Sequence, residues 1–152
     1  MEAVLQGDRV RRNTTFEANE QIDADIRRRI EHYATQPRDV ISRRVEELER
    51  EWDIERILEV NASSLALTGA VLGAAFSRKW LLLTMTVTGF LLLHGLQGWC
   101  PPVPMLRKLG VRTASEIERE RFALKFLRGD FEVASREPPE LAARQLANAV
   151  EA

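Results

Sequence analysis

The sequence predicts an all-α membrane protein, a two-span transmembrane helical hairpin with amphipathic cytoplasmic helices before and after it. Three observations carry this expectation. Two uncharged apolar runs, Val60 to Phe76 and Trp80 to Gly98, are separated only by Ser77, Arg78 and Lys79. Tryptophans stand near both ends of the second run, Trp80 opening it and Trp99 following it. The flanking segments are charged, with apolar residues recurring at helical spacing. A helix rises about 1.5 Å per residue, so runs of about 17 and about 19 residues reach roughly 25 to 29 Å, against a hydrocarbon core of about 30 Å. A soluble hairpin with both members buried would need a large polar shell, and the flanking amphipathic helices are too few to supply one.

The elements follow in order. Residues 1–59 form an N-terminal cytoplasmic arm of two helices, about 15–34 and about 38–59. Thr14 and Glu17 have capping-box spacing, and Ile22, Ile26, Ile30 and Tyr33 then mark one face. The first helix stops before Pro37, because the residue preceding a proline is pushed out of the helical region. In the second, Ile41, Val45, Leu48 and Trp52 mark a stripe, and the remaining surface alternates in sign, as in Arg43 with Glu47 and Glu46 with Arg50. Such a stripe packs within the chain, lies on a membrane or meets a partner. Without Gly or Pro before Val60, this helix either runs into the first span or bends near Glu59 and Asn61.

Residues 60–99 form the hairpin, with spans 60–76 and 80–98. Trp80 and Trp99 are placed for the two membrane interfaces, where indole rings prefer to sit. On the first span Ala66, Gly69, Ala70 and Gly73 form a small-residue face, suited either to contact between the two spans or to homodimerisation. Residues 100–112 form a connector made irregular by Pro101, Pro102 and Pro104. Residues 113–152 hold a helix opened by Thr113 and Glu116 and ending near Gly129, followed by a tail in which Leu141 to Val150 could form a weak helix.

Charge sets the orientation. Arg43, Arg44, Arg50 and Arg56 precede the first span, and Arg107, Lys108 and Arg112 follow the second, whereas the turn carries only Arg78 and Lys79. The positive-inside bias places both termini in the cytoplasm of a bacterium, with the chain a multi-pass protein of the inner membrane. About 11 basic and about 15 acidic residues precede Val60, so no strongly basic face is present and nucleic-acid binding is not expected. Residues Met1 to Arg12 lack the apolar core of a cleavable signal, so insertion is expected to use the internal spans.

Antiparallel pairing brings Asn61, Ser63 and Ser64 level with His94 and Gln97, with the lone cysteine, Cys100, just beyond. His94 and Cys100 are the candidate ligand-binding residues. His94 reads either as a paired structural histidine or as a ligand, since intramembrane ionisable groups invite a functional hypothesis. Cys100 follows a helix C-terminus, whose partial negative charge disfavours a thiolate. One Cys and one His do not complete a zinc site, and no phosphate-cradling loop, Ser/His/Asp set or HExxH is present. The expectation is a nonenzymatic protein without metal or cofactor.

The segment Gly98, Trp99, Cys100, Pro101, then Leu109, Gly110 and Thr113, following two short spans, resembles the transmembrane domain of YgaP-like bacterial inner membrane proteins. The resemblance covers about Asn61 to Thr113 and implies a two-helix hairpin of a family largely without assigned function. Some relatives carry a cytoplasmic rhodanese domain; the charged helical segments here leave no room for that fold. The resulting expectation is a small inner-membrane anchor, scaffold or regulatory adaptor, contacting the bilayer and either a second copy or another membrane protein. The alternative is a membrane-edge thiol or persulfide carrier, or a ligand site, using Cys100 and His94.

Overall fold

The computed structural model describes residues 8–131, and every regular element among them is helical. The sequence-predicted terminal helix at 141–150 lies outside the described residues. The elements are α1 (Arg9–Arg12), α2 (Phe16–Ala34), α3 (Arg38–Arg50), α4 (Ile54–Ala75), a 3₁₀ turn (Arg78–Trp80), α5 (Leu81–Gln97), α6 (Val103–Lys108) and α7 (Ala114–Arg128). They divide into two compact units. Among described residues, one holds 8–24 and 52–115, the other 25–51 and 116–131. This division departs from the linear order of arm, hairpin, connector and tail, because residues distant in sequence share each core.

In the first unit, Asp8 caps α1 by accepting the Arg11 N–H at 3.0 Å. The cap of α2 falls one residue later than the Thr14 and Glu17 spacing predicts. The Thr14 hydroxyl donates to the Val10 carbonyl at 2.7 Å, while Thr15 Oγ1 accepts the Ala18 N–H. The helix predicted over 38–59 is also corrected: it breaks at Glu51, whose backbone is extended, and restarts after Asp53. Asp53 accepts the Arg56 N–H at 2.7 Å, the N-cap bond for which a short carboxylate is well suited. The helix that enters the first apolar run thus begins at Ile54 and continues unbroken to Ala75.

α4 and α5 pair along the small-residue face. A Cβ on Gly69 would lie 2.7 Å from Thr84 Oγ1 and 3.1 Å from the Trp80 carbonyl oxygen; on Gly73 it would lie 2.6 Å from a Leu81 methyl carbon. Thr84 donates to the Ala66 carbonyl at 3.0 Å. Two 18-residue windows, within 38–75 and 78–97, are long and apolar enough to cross a membrane, yet only 17% and 6% of them are buried. Leu67, Val71, Leu82, Met85, Leu92 and Leu96 are all exposed.

The connector contains a regular helix, α6, where the three prolines predict an irregular segment. Pro104 sits in the first turn of α6, where its missing N–H has no partner to lose. Val103 drops into a core with Val10, Ile54, Leu58 and Cys100, flanked by Leu106 and Val111. The fully buried Arg107 guanidinium donates to the Val111 carbonyl at 3.0 Å and to Asn19 Oδ1 at 2.9 Å, joining α6 to α2.

In the second unit, Ile41, Val45 and Leu48 of α3 pack with Ile117 and Leu124 of α7, and Tyr33 lies against them. Glu120 is fully buried: Arg29 Nε donates to one carboxylate oxygen at 3.0 Å, and Arg44 donates through Nε and a terminal nitrogen to the other at 3.1 and 3.0 Å. Arg128 bonds Ser42 at 3.1 Å and pairs with Asp130, whose hydrogen bond outweighs the opposing effect of burial and leaves the guanidinium more basic than usual.

Candidate functional site

A cavity of about 500 Å³ opens in the first unit where α1, the start of α4, the end of α5 and the segment 113–115 meet. Its walls combine three carboxylates, Asp8, Glu55 and Glu59, with Arg9, His94 and the Leu91 side chain. Asp8 caps α1, Arg9 opens it, and Glu55 lies in the first turn of α4. Glu55 and Glu59 are one turn apart on α4, and Leu91, His94 and Gly95 share a face of α5.

The polar groups differ in how far they are satisfied. Burial pushes the Asp8 carboxyl up, but hydrogen bonds from Thr113, Ser115 and the Arg11 N–H outweigh it and hold the group below its ordinary range. The two hydroxyls lie 2.6 and 2.7 Å from the same Asp8 oxygen. Arg9 donates to the Gly95 carbonyl, so its guanidinium is engaged on the cavity wall. Glu55 is different: burial raises its pKa, and hydrogen bonds from its own N–H and from Ala114 only partly offset this. Its Oε2 atom is buried with no hydrogen-bond partner. His94 is only 8% exposed, and its Nδ1 likewise has none.

The two candidate ligand residues do not meet in this cavity. Cys100 is buried in the apolar core and lines a separate groove of about 230 Å³ with Leu58, Leu65, Val87 and Phe90. Burial pushes its thiol pKa up, which lowers the thiolate fraction on which nucleophilicity and soft-metal binding depend. Asn61, Ser63 and Ser64 return their donors to the carbonyls of Ile57, Glu59 and Val60 on their own helix, the local bonding that such side chains favour. Among the described residues, no three His, Cys, Asp or Glu side chains converge as metal ligands.

The remaining residues singled out from sequence occupy structural positions. Ala66, Gly69, Ala70 and Gly73 lie along α4, with both glycines closed over by α5. Trp80 and Trp99 are exposed beyond opposite ends of α5. Ile41, Val45 and Leu48 are engaged inside the second unit, whereas Trp52 lies off that helix, with the Arg56 guanidinium 4.5 Å from its ring centroid. Sequence reasoning missed Asp8, Glu55 and Glu59 as wall residues. Asp8 meets Thr113 across 105 residues, with no local signal, but the Glu55 and Glu59 pair just before the apolar run was a visible cue.

The fold defines a small all-α protein carrying two helices apolar and long enough to cross a membrane. No family model, curated protein or solved structure matches the chain. The motif residues have plain structural roles here: Gly98 caps α5 in the left-handed region, Cys100 fills the core, Gly110 follows α6 with positive φ, and Thr113 holds Asp8.

Proposed function

We propose that the chain is a nonenzymatic two-span membrane protein that anchors its charged helical unit at the cytoplasmic face of a bacterial inner membrane, as a scaffold or regulatory adaptor. One observation carries this reading: the apolar helices pack on each other through one narrow face and leave the rest uncovered, so that only 17% and 6% of their apolar windows are buried. A soluble core helix would be mostly enclosed, and a contiguous apolar surface of this extent calls for lipid or another apolar partner. Orientation with both termini inside follows from the arginines before Val60 and the basic residues after Pro104, which outnumber Arg78 and Lys79. The buried, weakly acidic Cys100 favours this reading over a thiol carrier.

Alkaline carbonate extraction of membranes, combined with topology reporters fused at the C-terminus and inserted at Arg78, tests it. Retention in the membrane pellet, with the C-terminus inside and the turn outside, is expected. Recovery of a monodisperse protein from detergent-free supernatant would overturn the reading.

A further inference from the structure

The charge-free stretch does not end with α5. From Trp99 to Leu106 no residue is charged, and the first charged side chain beyond it, Arg107, is fully buried and donates inward to the Val111 carbonyl and Asn19 Oδ1. α6 presents two faces at helical spacing. Val103 and Arg107 are buried, with Leu106 packed beside them, whereas Pro104, Met105, Lys108 and Leu109 are exposed, Met105 by 66% and Leu109 by 69%. The turn that enters α6 continues the apolar surface of the spans: Pro101 and Pro102 line the groove with Leu65 of α4 and with Val87 and Phe90 of α5. Phe90 lies seven residues before the end of α5, about 10 Å along a helix, so the connector turns back beside the spans.

The backbone of this segment is closed in the way a membrane boundary demands. A helix start leaves N–H groups without acceptors, and each is costly where water is scarce. Here Pro101, Pro102 and Pro104 have no N–H, and the Val103 and Leu106 N–H groups donate to the Cys100 and Pro102 carbonyls at 2.9 and 3.0 Å. At the other end the Leu109, Gly110 and Val111 N–H groups return to the Met105, Arg107 and Leu106 carbonyls. We infer that residues 99–109 form a third membrane-embedded element, with Met105 and Leu109 inserted among lipid acyl chains in the leaflet next to the termini and Lys108 reaching back to the phosphate headgroups. A lysine suits that place, because its methylenes cover apolar surface while the ammonium stays at polar depth. An exposed apolar patch continuous with the spans and edged by a cation fits an interfacial helix. This placement rests on the membrane reading above.

The test uses the full chain in vesicles of phosphatidylcholine and phosphatidylglycerol. In a Cys100→Ala background, Met105→Cys and Leu109→Cys carry an environment-sensitive fluorophore, with Leu92→Cys on α5 as the lipid reference and Glu31→Cys on α2 as the aqueous one; circular dichroism checks that each variant folds. Quenching by nitroxides at two acyl-chain depths should place the labels at 105 and 109 about 5 to 10 Å into the headgroup–acyl boundary, with buffer iodide quenching them far less than the label at 31. Met105→Trp and Leu109→Trp, each with Trp52, Trp80 and Trp99 changed to Phe and read with brominated lipids, should give the same depth without touching Cys100. Iodide quenching at 105 and 109 equal to that at 31, with the label at 92 still reached by lipid nitroxides, overturns the inference and leaves the membrane reading standing. Protection from both quenchers that disappears when the protein is diluted into excess lipid assigns the face to a second copy and overturns it as well. Exposure of the label at 92 to iodide sinks the membrane reading, and the lipid contact of α6 with it.

Discussion

Gly98 offers the sharpest test of how the first unit is assembled. Its φ is 75°, and a Cβ built there would lie 2.5 Å from Arg9 Cβ and 2.6 and 2.7 Å from the Arg9 carbonyl carbon and oxygen. Two costs therefore meet in Gly98→Ala. The left-handed backbone costs a side-chain-bearing residue about 1 to 2 kcal/mol. Overlap with backbone atoms, which do not rotate away, adds about 1 to 3 kcal/mol. Gly110 isolates the first cost, because its φ is 82° and nothing lies within 4 Å of its added Cβ. Gly95 isolates the background: it is helical, and its Cβ would also meet open space, so Ala there should stabilise by up to about 1 kcal/mol. The expected losses are thus about 2 to 5 kcal/mol for Gly98→Ala and about 1 to 2 for Gly110→Ala, with a small gain for Gly95→Ala. Reversible unfolding of the full chain in mixed micelles, followed by far-UV circular dichroism, measures all three. If Gly98→Ala costs no more than Gly110→Ala, α1 does not lie against the end of α5 and the polar cavity loses one wall.

Other perturbations probe the two cores and the cavity charges. Glu120→Ala strands Arg29 and leaves Arg44 only its pair with Glu47, and because both guanidinium groups retain some access to water the loss should be about 2 to 3 kcal/mol, below the full penalty for an enclosed pair; urea unfolding measures it. Leu48→Ala should cost about 2 to 5 kcal/mol while Trp52→Ala costs under about 1, since only Leu48 is enclosed; equal effects would contradict the packing of α3 on α7. Asp8 and Glu55 should titrate with opposite signs. The depressed Asp8 pKa gives stability that is present above its ordinary value of 3.8 and lost as pH falls through the folded value, so the cost of Asp8→Asn shrinks in acid. The raised Glu55 pKa penalises its ionised form, so Glu55→Gln should stabilise above the folded pKa and give no gain below 4.5; stability curves from about pH 3 to about pH 8 separate the two.

Helix identity was legible from the chain because apolar spacing, prolines and charge-free runs are local signals. The face of Gly69 and Gly73 was legible too, as was the stripe of Ile41, Val45 and Leu48. Its partner was not. Whether that stripe met lipid, a second protein or its own chain depended on Ile117 and Leu124, about 70 residues away, whose own spacing marks a face without saying what covers it. The break after Arg50 was missed because Asp53 is a weak local signal until its side chain is seen on the Arg56 N–H. Of the polar cavity, only His94 is a candidate ligand residue in the sequence, and Cys100, the other candidate, lines a separate groove.

The sequence by itself determined that this is an all-helical chain with two adjacent runs long and apolar enough for a bilayer, because length and hydropathy are additive along a chain. Only the tertiary structure decided which charges are enclosed and which acceptors are left unmet. Asp8 reaches Thr113, Arg107 reaches Asn19, and Glu120 collects Arg29 and Arg44, each across more than 70 residues. A carboxylate's surroundings, unlike its position in a helix, come from segments that local periodicity cannot align, and it is those surroundings that leave Glu55 Oε2 and His94 Nδ1 buried without a hydrogen-bond partner.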